Sequence, residues 1–184
     1  MKVDYPARIA QVASSLASTQ HEVIFITPGA DLRYLTGYDA LPLERLTCLA
    51  VCSDGRSWLI VPTLEKPSAL AHGVPELGIE LLDWQETQNA YQILLAQVGK
   101  PKNPLVNNLM WVEKAFGIRD EIGSDLQLAG KLLSDIREVK SPQEIDYLHD
   151  AGRAIDEVHS NMHLWLRPGR TEREVGKDIA EAIL

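Results

Sequence analysis

The sequence predicts an α/β fold in which helices flank a mixed sheet, followed by a purely helical segment. Short apolar runs of strand length alternate with helical patterns along roughly the first 126 residues, which is typical of a sheet covered by helices. Two of these runs flank Asp54-Gly55, a hairpin signal that makes at least one strand pair antiparallel. From 126 to 140 the short strands give way to helical periodicity. One domain and the start of a second fit the length of 184 residues.

The first elements follow from local patterns. Asp4 and Pro6 are typical of a helix start, and apolar residues then recur at helical spacing. The apolar run 23–26 predicts a buried strand that ends in a turn at Pro28-Gly29. The runs 46–52 and 57–61 predict the two strands of the hairpin.

Further elements are predicted up to residue 116. They are a helix at 64–71, a strand at 79–82, a helix at 89–98, a strand at 105–106 and a helix at 110–116. Cys48 and Cys52 lie four positions apart in an apolar run, so both would point to one face of a strand, too far apart for a disulfide. We expect them to be buried small apolar residues rather than metal ligands.

The helical segment contains two capping boxes. Ser141 and Glu144 begin a long helix, predicted to run to Leu166 with a narrow apolar stripe. Thr171 and Glu174 begin the next helix. Two such helices leave their stripes with little to pack on, so we expect the chain to be the front part of a longer protein.

Charge and hydropathy exclude several functions. Lys and Arg number 18 against 26 Asp and Glu, a net charge of −8 without any basic run, which argues against nucleic-acid binding. No apolar stretch approaches the ~20 residues of a membrane-spanning helix. Asp4 and Pro6 lie where a signal peptide would be continuously apolar, so a cytoplasmic location is expected.

Three motifs resemble the creatinase/Xaa-Pro peptidase family, which includes prolidase and aminopeptidase P. They are ADLRYLTGY at 30–38, IREVKSPQEI at 136–145 and LRPGRTEREV at 166–175. The resemblance implies that 1–134 form the family's N-terminal domain, a ribonuclease-H-like mixed sheet. It also implies that 135–184 are the first two helices of a truncated catalytic domain of the pita-bread fold. Tyr34 and Gly37, in the first motif, are interpreted as structural.

The resemblance also implies where the chemistry lies. In that family two divalent ions, commonly manganese, cobalt or zinc, are held by two Asp, one His and two Glu, all beyond position 184. No catalytic residue or metal ligand is therefore carried over to this chain, which should be inactive alone. His159 and His163 have the i,i+4 spacing of a chelating pair, but position 160 lacks the Glu of a metallopeptidase helix. A buried, hydrogen-bonded His159 is expected instead.

The loop 37–45 is the candidate substrate-binding segment. In family dimers this region of one subunit reaches the catalytic cleft of the other. Asp39 could hold the amine of a peptide, and Arg45 could hold its carboxylate through two hydrogen bonds. Arg45 favours dipeptides, whose carboxylate lies next to the scissile bond. The alternative for the whole segment is a solvated loop.

The resemblance implies the N-terminal part of a metal-dependent Xaa-Pro dipeptidase, a homodimer that hydrolyses the bond before proline in short peptides. This part would enclose the substrate and pair subunits without hydrolysing anything. Three alternatives remain open: a non-catalytic binding or assembly module of the same fold, an aminopeptidase P, and a creatinase-like hydrolase. The residues beyond 184 would separate them.

Overall fold

The structure, a computed structural model, describes residues 3–184, so the first two residues of the predicted first domain lie outside it. The described chain divides into two compact units, one ending at Glu138 and one beginning at Val139. The boundary predicted between 134 and 135 falls inside a helix, four residues before this division.

A six-stranded mixed sheet forms the centre of the first unit, in the order β4-β3-β2-β1-β5-β6. Its strands are β1 (Val23–Ile26), β2 (Cys48–Cys52), β3 (Ser57–Pro62), β4 (Glu80–Trp84), β5 (Leu105–Val106) and β6 (Gln127–Leu128). β2 pairs antiparallel with β1 and β3, and the other three pairs are parallel. The predicted fold class and its hairpin are confirmed.

Helices cover both faces of this sheet. They are α1 (Tyr5–Ala17), α2 (Ala30–Thr36), α3 (Lys66–Ala71), α4 (Ala90–Val98), α5 (Val112–Ile122) and α6 (Gly130–Glu138), with a 3₁₀ turn at Pro75–Leu77. On one face, apolar residues of α1, α2, α3 and α6 pack on alternate residues of the central strands. On the other face, α4 and α5 pack on the remaining residues, which include Cys48 and Cys52.

The two cysteines behave as predicted. Both are free and buried on one face. Burial raises the pKa of the Cys48 thiol to about 12 and that of Cys52 to about 11. These pKa values leave little nucleophilic thiolate at neutral pH.

Three local predictions in the first unit were wrong or incomplete. The segment after β1 forms the helix α2 rather than only a turn. The helix predicted at 110–116 begins at Val112 and continues to Ile122, where Gly123 caps it in the left-handed conformation. β6 was not predicted, because its two residues are exposed and carry no apolar pattern.

The second unit is helical, as predicted. It contains α7 (Pro142–Ser160), α8 (Met162–Trp165) and α9 (Glu172–Ile183), and both predicted capping boxes are formed. The first predicted helix is shorter than expected, because it ends at Ser160 and a separate turn of helix follows. His159 is exposed, so the prediction of a buried imidazole was wrong. Across 3–184, no helix combines the length and apolar character needed to cross a membrane.

Candidate functional site

The candidate loop connects α2 to β2. Gly37 ends α2 in the left-handed conformation, with φ of 72°, and its amide donates to the Arg33 carbonyl at 2.8 Å. A Cβ at this position would also meet the ring of Tyr5, at 2.7 Å from its Cζ atom. Gly37 is therefore structural, and it determines the direction in which the loop leaves the helix.

Lys114, on α5, holds the loop in place through hydrogen bonds to its backbone. Its side chain is buried, and its ammonium donates to the backbone carbonyls of Leu43 and Arg45, the latter at 3.0 Å. The same ammonium lies 5.0 Å from the centre of the Trp111 ring. Burial lowers the pKa of Lys114, and the more distant carboxylates of Glu113, Glu44 and Glu65 oppose that shift.

Arg45 lies between two carboxylates. Its Nη2 is 3.4 Å from Glu65 Oε1, and its Nη1 is 3.4 Å from Glu86 Oε1. The Arg45 side chain is 23% exposed, Glu65 is 19% exposed and Glu86 is 80% exposed. Arg45 Nε is sealed from solvent and has no hydrogen-bond partner among the described residues. The guanidinium is thus held by long contacts, one of them to a carboxylate that solvent surrounds.

Arg45 lines an open groove of about 370 Å³. Trp84 forms part of its wall and donates its indole N–H to the Leu46 carbonyl at 2.9 Å. Thr47 donates to Glu65 Oε2 at 3.2 Å, so Glu65 is held by a second contact in addition to that with Arg45. Glu86 also lines the groove and has no such additional contact among the described residues.

Asp39 lies elsewhere on the surface. Its carboxylate is 3.6 Å from Arg33 Nη1, and both side chains are mostly exposed. Asp39 is not among the residues that line the groove of Arg45. The structure therefore assigns Asp39 and Arg45 to different surroundings, although both belong to the predicted segment.

A second concave site lies where β1 and β5 end. This pocket of about 230 Å³ is lined by residues that follow both strands, including Thr27 and Asn107, and by Lys114 and Trp111 of the α5 region. Asn107 Oδ1 accepts hydrogen bonds from the Thr27 amide at 3.1 Å and hydroxyl at 3.2 Å. Sequence reasoning missed this pocket and missed Lys114, Glu65 and Glu86. Their only signal is charge, since their partners lie at least eighteen positions away.

The described residues do not fit the metal ions that the resemblance implies. Among 3–184, no group of three or more His, Cys, Asp or Glu side chains is arranged to hold a metal ion. Nδ1 of His163, half of the candidate chelating pair, lies 2.9 Å from the backbone carbonyl oxygen of Ser160. No step of a reaction can be derived through a metal held by this chain.

Comparison with known proteins identifies relatives of this domain. The family model described as the creatinase/prolidase N-terminal domain matches residues 8–139. A protein of Mycobacterium tuberculosis named probable dipeptidase PepE is 37% identical over 181 residues, which are 98% of this chain and 48% of that protein.

Two solved structures agree with the fold. Dipeptidase PepE from Mycobacterium ulcerans has a TM-score of 0.91 and 37% identity, over 97% of this chain and 48% of that one. A prolidase from Thermococcus sibiricus has a TM-score of 0.81 and 27% identity, over 100% of this chain and 50% of that one. The chain thus spans about half the length of these three relatives.

Proposed function

Because this chain belongs to the creatinase/prolidase N-terminal domain family, we propose that it is the N-terminal part of a metal-dependent Xaa-Pro dipeptidase. The whole protein would hydrolyse the bond before proline in short peptides. The observation that carries the proposal is similarity along nearly the whole chain to proteins named dipeptidase and prolidase, of which the chain covers about half.

The proposal divides the work between two parts of the protein. The ions, two of manganese, cobalt or zinc, would be held by the part that this chain does not contain, since the described residues offer no site for them. This chain would enclose the substrate and take part in a cytoplasmic homodimer. Release of proline from Leu-Pro by residues 1–184 with manganese, surviving repurification, would contradict this division.

Arg45 is the residue we propose for recognition of the peptide carboxylate, in the cleft of the neighbouring subunit. A carboxylate can replace Glu86, because that side chain is 80% exposed and loses little when it returns to water. Glu65 would stay and hold the guanidinium in the groove. A dipeptide places its carboxylate beside the scissile bond, so this contact would favour dipeptides over longer peptides.

Asp39 is the companion candidate. Its exposed carboxylate could hold the peptide amine, with Arg33 as the partner that it would release. The surroundings of Asp39 differ from those of Arg45, so the two substitutions test separate contacts.

The decisive experiment is Arg45→Ala in the full-length enzyme at matched metal content. Loss of a charge-assisted hydrogen bond of about 1.5–3 kcal/mol lowers kcat/KM for a Xaa-Pro dipeptide by roughly one to two decades. The loss should be much smaller on a Xaa-Pro tripeptide, whose carboxylate lies elsewhere. Wild-type activity of Arg45→Ala on the dipeptide would mean that the segment is a solvated loop without a role in substrate binding.

Asp39→Ala is the control on the same two substrates. If the loop only covers the cleft, Asp39→Ala and Arg45→Ala should impair dipeptides and tripeptides alike. That result would support enclosure of the substrate by the loop and would contradict a contact between Arg45 and the substrate carboxylate.

A further inference from the structure

The pocket at the ends of β1 and β5 has the features of a binding site that the proposed peptidase role does not use. β1 and β5 are parallel neighbours, and ligands of open α/β sheets commonly bind beyond the carboxyl ends of such strands. Asp31, Pro42, Asn107, Trp111 and Lys114 are among the residues around its volume of about 230 Å³.

Asn107 offers this pocket a free donor. The residue is 3% exposed, and its Oδ1 is fixed by two hydrogen bonds from Thr27, so the amide nitrogen is on the other side. Nδ2 donates to no described residue. The only described side-chain atoms both sealed from solvent and unpartnered are Arg45 Nε and Ser124 Oγ, so Asn107 Nδ2 keeps some exposure to solvent, and this pocket is the opening that Asn107 lines. A buried amide left in this way favours an acceptor from a ligand.

Lys114 adds a positive charge to the lining of the pocket. The residue is 2% exposed, and its two hydrogen-bond acceptors are neutral carbonyls. No carboxylate of the described residues lies within 4 Å of its ammonium, which is unusual for a buried charge. An ammonium carries three N–H donors, and two are used. A ligand carboxylate would supply both the missing charge and the missing acceptor.

Asp31 adds a carboxylate to the lining of the pocket. Its side chain is 18% exposed, and Arg137 pairs with its Oδ1 at 2.9 Å. Oδ2 accepts no hydrogen bond from the described residues, so it is available to a ligand donor. Pro28, Pro42, Leu109 and Trp111 make the rest of the lining largely apolar.

We propose that this pocket binds a free amino acid with a small apolar side chain. The carboxylate would lie toward Lys114 and Asn107, the ammonium toward Asp31, and the side chain against the prolines and Trp111. Valine, whose isopropyl side chain is small and apolar, is the probe that suits the apolar part of this lining. The inference does not rest on the peptidase proposal, since binding is measured on this chain without turnover.

The test is a titration of the 184-residue chain with L-valine, followed by NMR of the Asn107 side-chain amide and the Trp111 indole. We expect saturable shifts of both signals. Isovalerate lacks the ammonium and valinamide lacks the carboxylate, so each should bind at least about tenfold more weakly. The proposal would be overturned if no saturable shift occurred up to about 50 mM valine, because the Kd would then be too high for binding at cellular concentrations. Isovalerate binding as tightly as valine would overturn the amino-acid assignment.

Asn107→Asp is the matched variant. It keeps an oxygen for both Thr27 donors and replaces the free N–H₂ by a second carboxylate oxygen, which repels the ligand carboxylate. Valine affinity should fall at least about tenfold, and unchanged affinity would contradict the proposed contact. Lys114→Met should weaken valine binding similarly. If either variant loses the native spectrum, the three-ligand comparison on the unaltered chain decides.

Discussion

Arg45 belongs to the loop between α2 and β2, and Lys114 binds the backbone of that loop, but the two cations have partners of different kinds. Arg45 is partly exposed and faces the carboxylates of Glu65 and Glu86. Lys114 is buried, and the acceptors of its ammonium are the carbonyls of Leu43 and Arg45. The Arg45 charge has one exposed partner that can leave, Glu86, whereas the Lys114 charge is solvated by backbone carbonyls that cannot.

This difference assigns distinct roles to the two groups. An exposed ion pair is worth about 0–1 kcal/mol, so a substrate carboxylate can exchange with Glu86 at little cost. A buried ammonium must keep its acceptors, because unsatisfied buried groups cost about 1–3 kcal/mol each. We therefore expect Lys114 to set the shape of the loop and Arg45 to recognise what enters the groove.

The largest effect that we expect from this difference is on the free energy of unfolding. Lys114→Ala should lower the free energy of unfolding by about 2–4 kcal/mol, because it opens a void and leaves two loop carbonyls without their donor. Arg45→Ala should lower it by less than about 1 kcal/mol. Denaturation of the 184-residue chain, followed by tryptophan fluorescence, measures both. Equal losses would mean that the two cations share one structural role.

A smaller effect should come from the carboxylates around Arg45. Glu86→Gln removes the exposed competitor, so KM of the full-length enzyme for a Xaa-Pro dipeptide should fall by up to about fivefold. Glu65→Gln is the control, because Glu65 also accepts from Thr47 and holds the guanidinium in place, and KM should rise. A higher KM for Glu86→Gln would show that Glu86 orients Arg45 rather than competing with the substrate.

Local sequence patterns were enough to predict the central strands of the sheet and the first helix. β1 and the hairpin are continuous apolar runs with a turn signal. Asp4 caps α1, because its carboxylate accepts a hydrogen bond from the Ala7 amide at 2.9 Å. β6 could not be predicted, because Gln127 and Leu128 are both exposed and become a strand only by pairing with β5. α2 was missed because Pro28-Gly29 resembles the start of a turn, and its helix lasts seven residues.

The site was harder to predict than the fold. The segment that contains Arg45 could be singled out from its charges, but its partners Glu65 and Glu86 lie 20 and 41 positions along the chain. The carbonyls bound by Lys114 are 71 and 69 positions away from it. A charge pattern does not indicate which distant elements the sheet brings together, so these contacts required the tertiary structure.

The finest distinction between the two cations is their response to pH. Burial lowers the pKa of Lys114, so in alkaline solution below its ordinary value of 10.5 the folded chain loses this proton while the unfolded chain keeps it. The unfolded state then binds more protons, and the Lys114 contribution to the free energy of unfolding rises with pH through that window. Subtracting Lys114→Met from wild type should therefore give a difference that increases toward pH 10.5 and is constant near neutrality. Lys114→Arg keeps a charge that does not titrate there, so wild type minus this variant should rise in the same way. A flat difference would mean that the two carbonyls solvate the Lys114 ammonium as well as water does, and a difference that falls with pH would mean that they solvate it better.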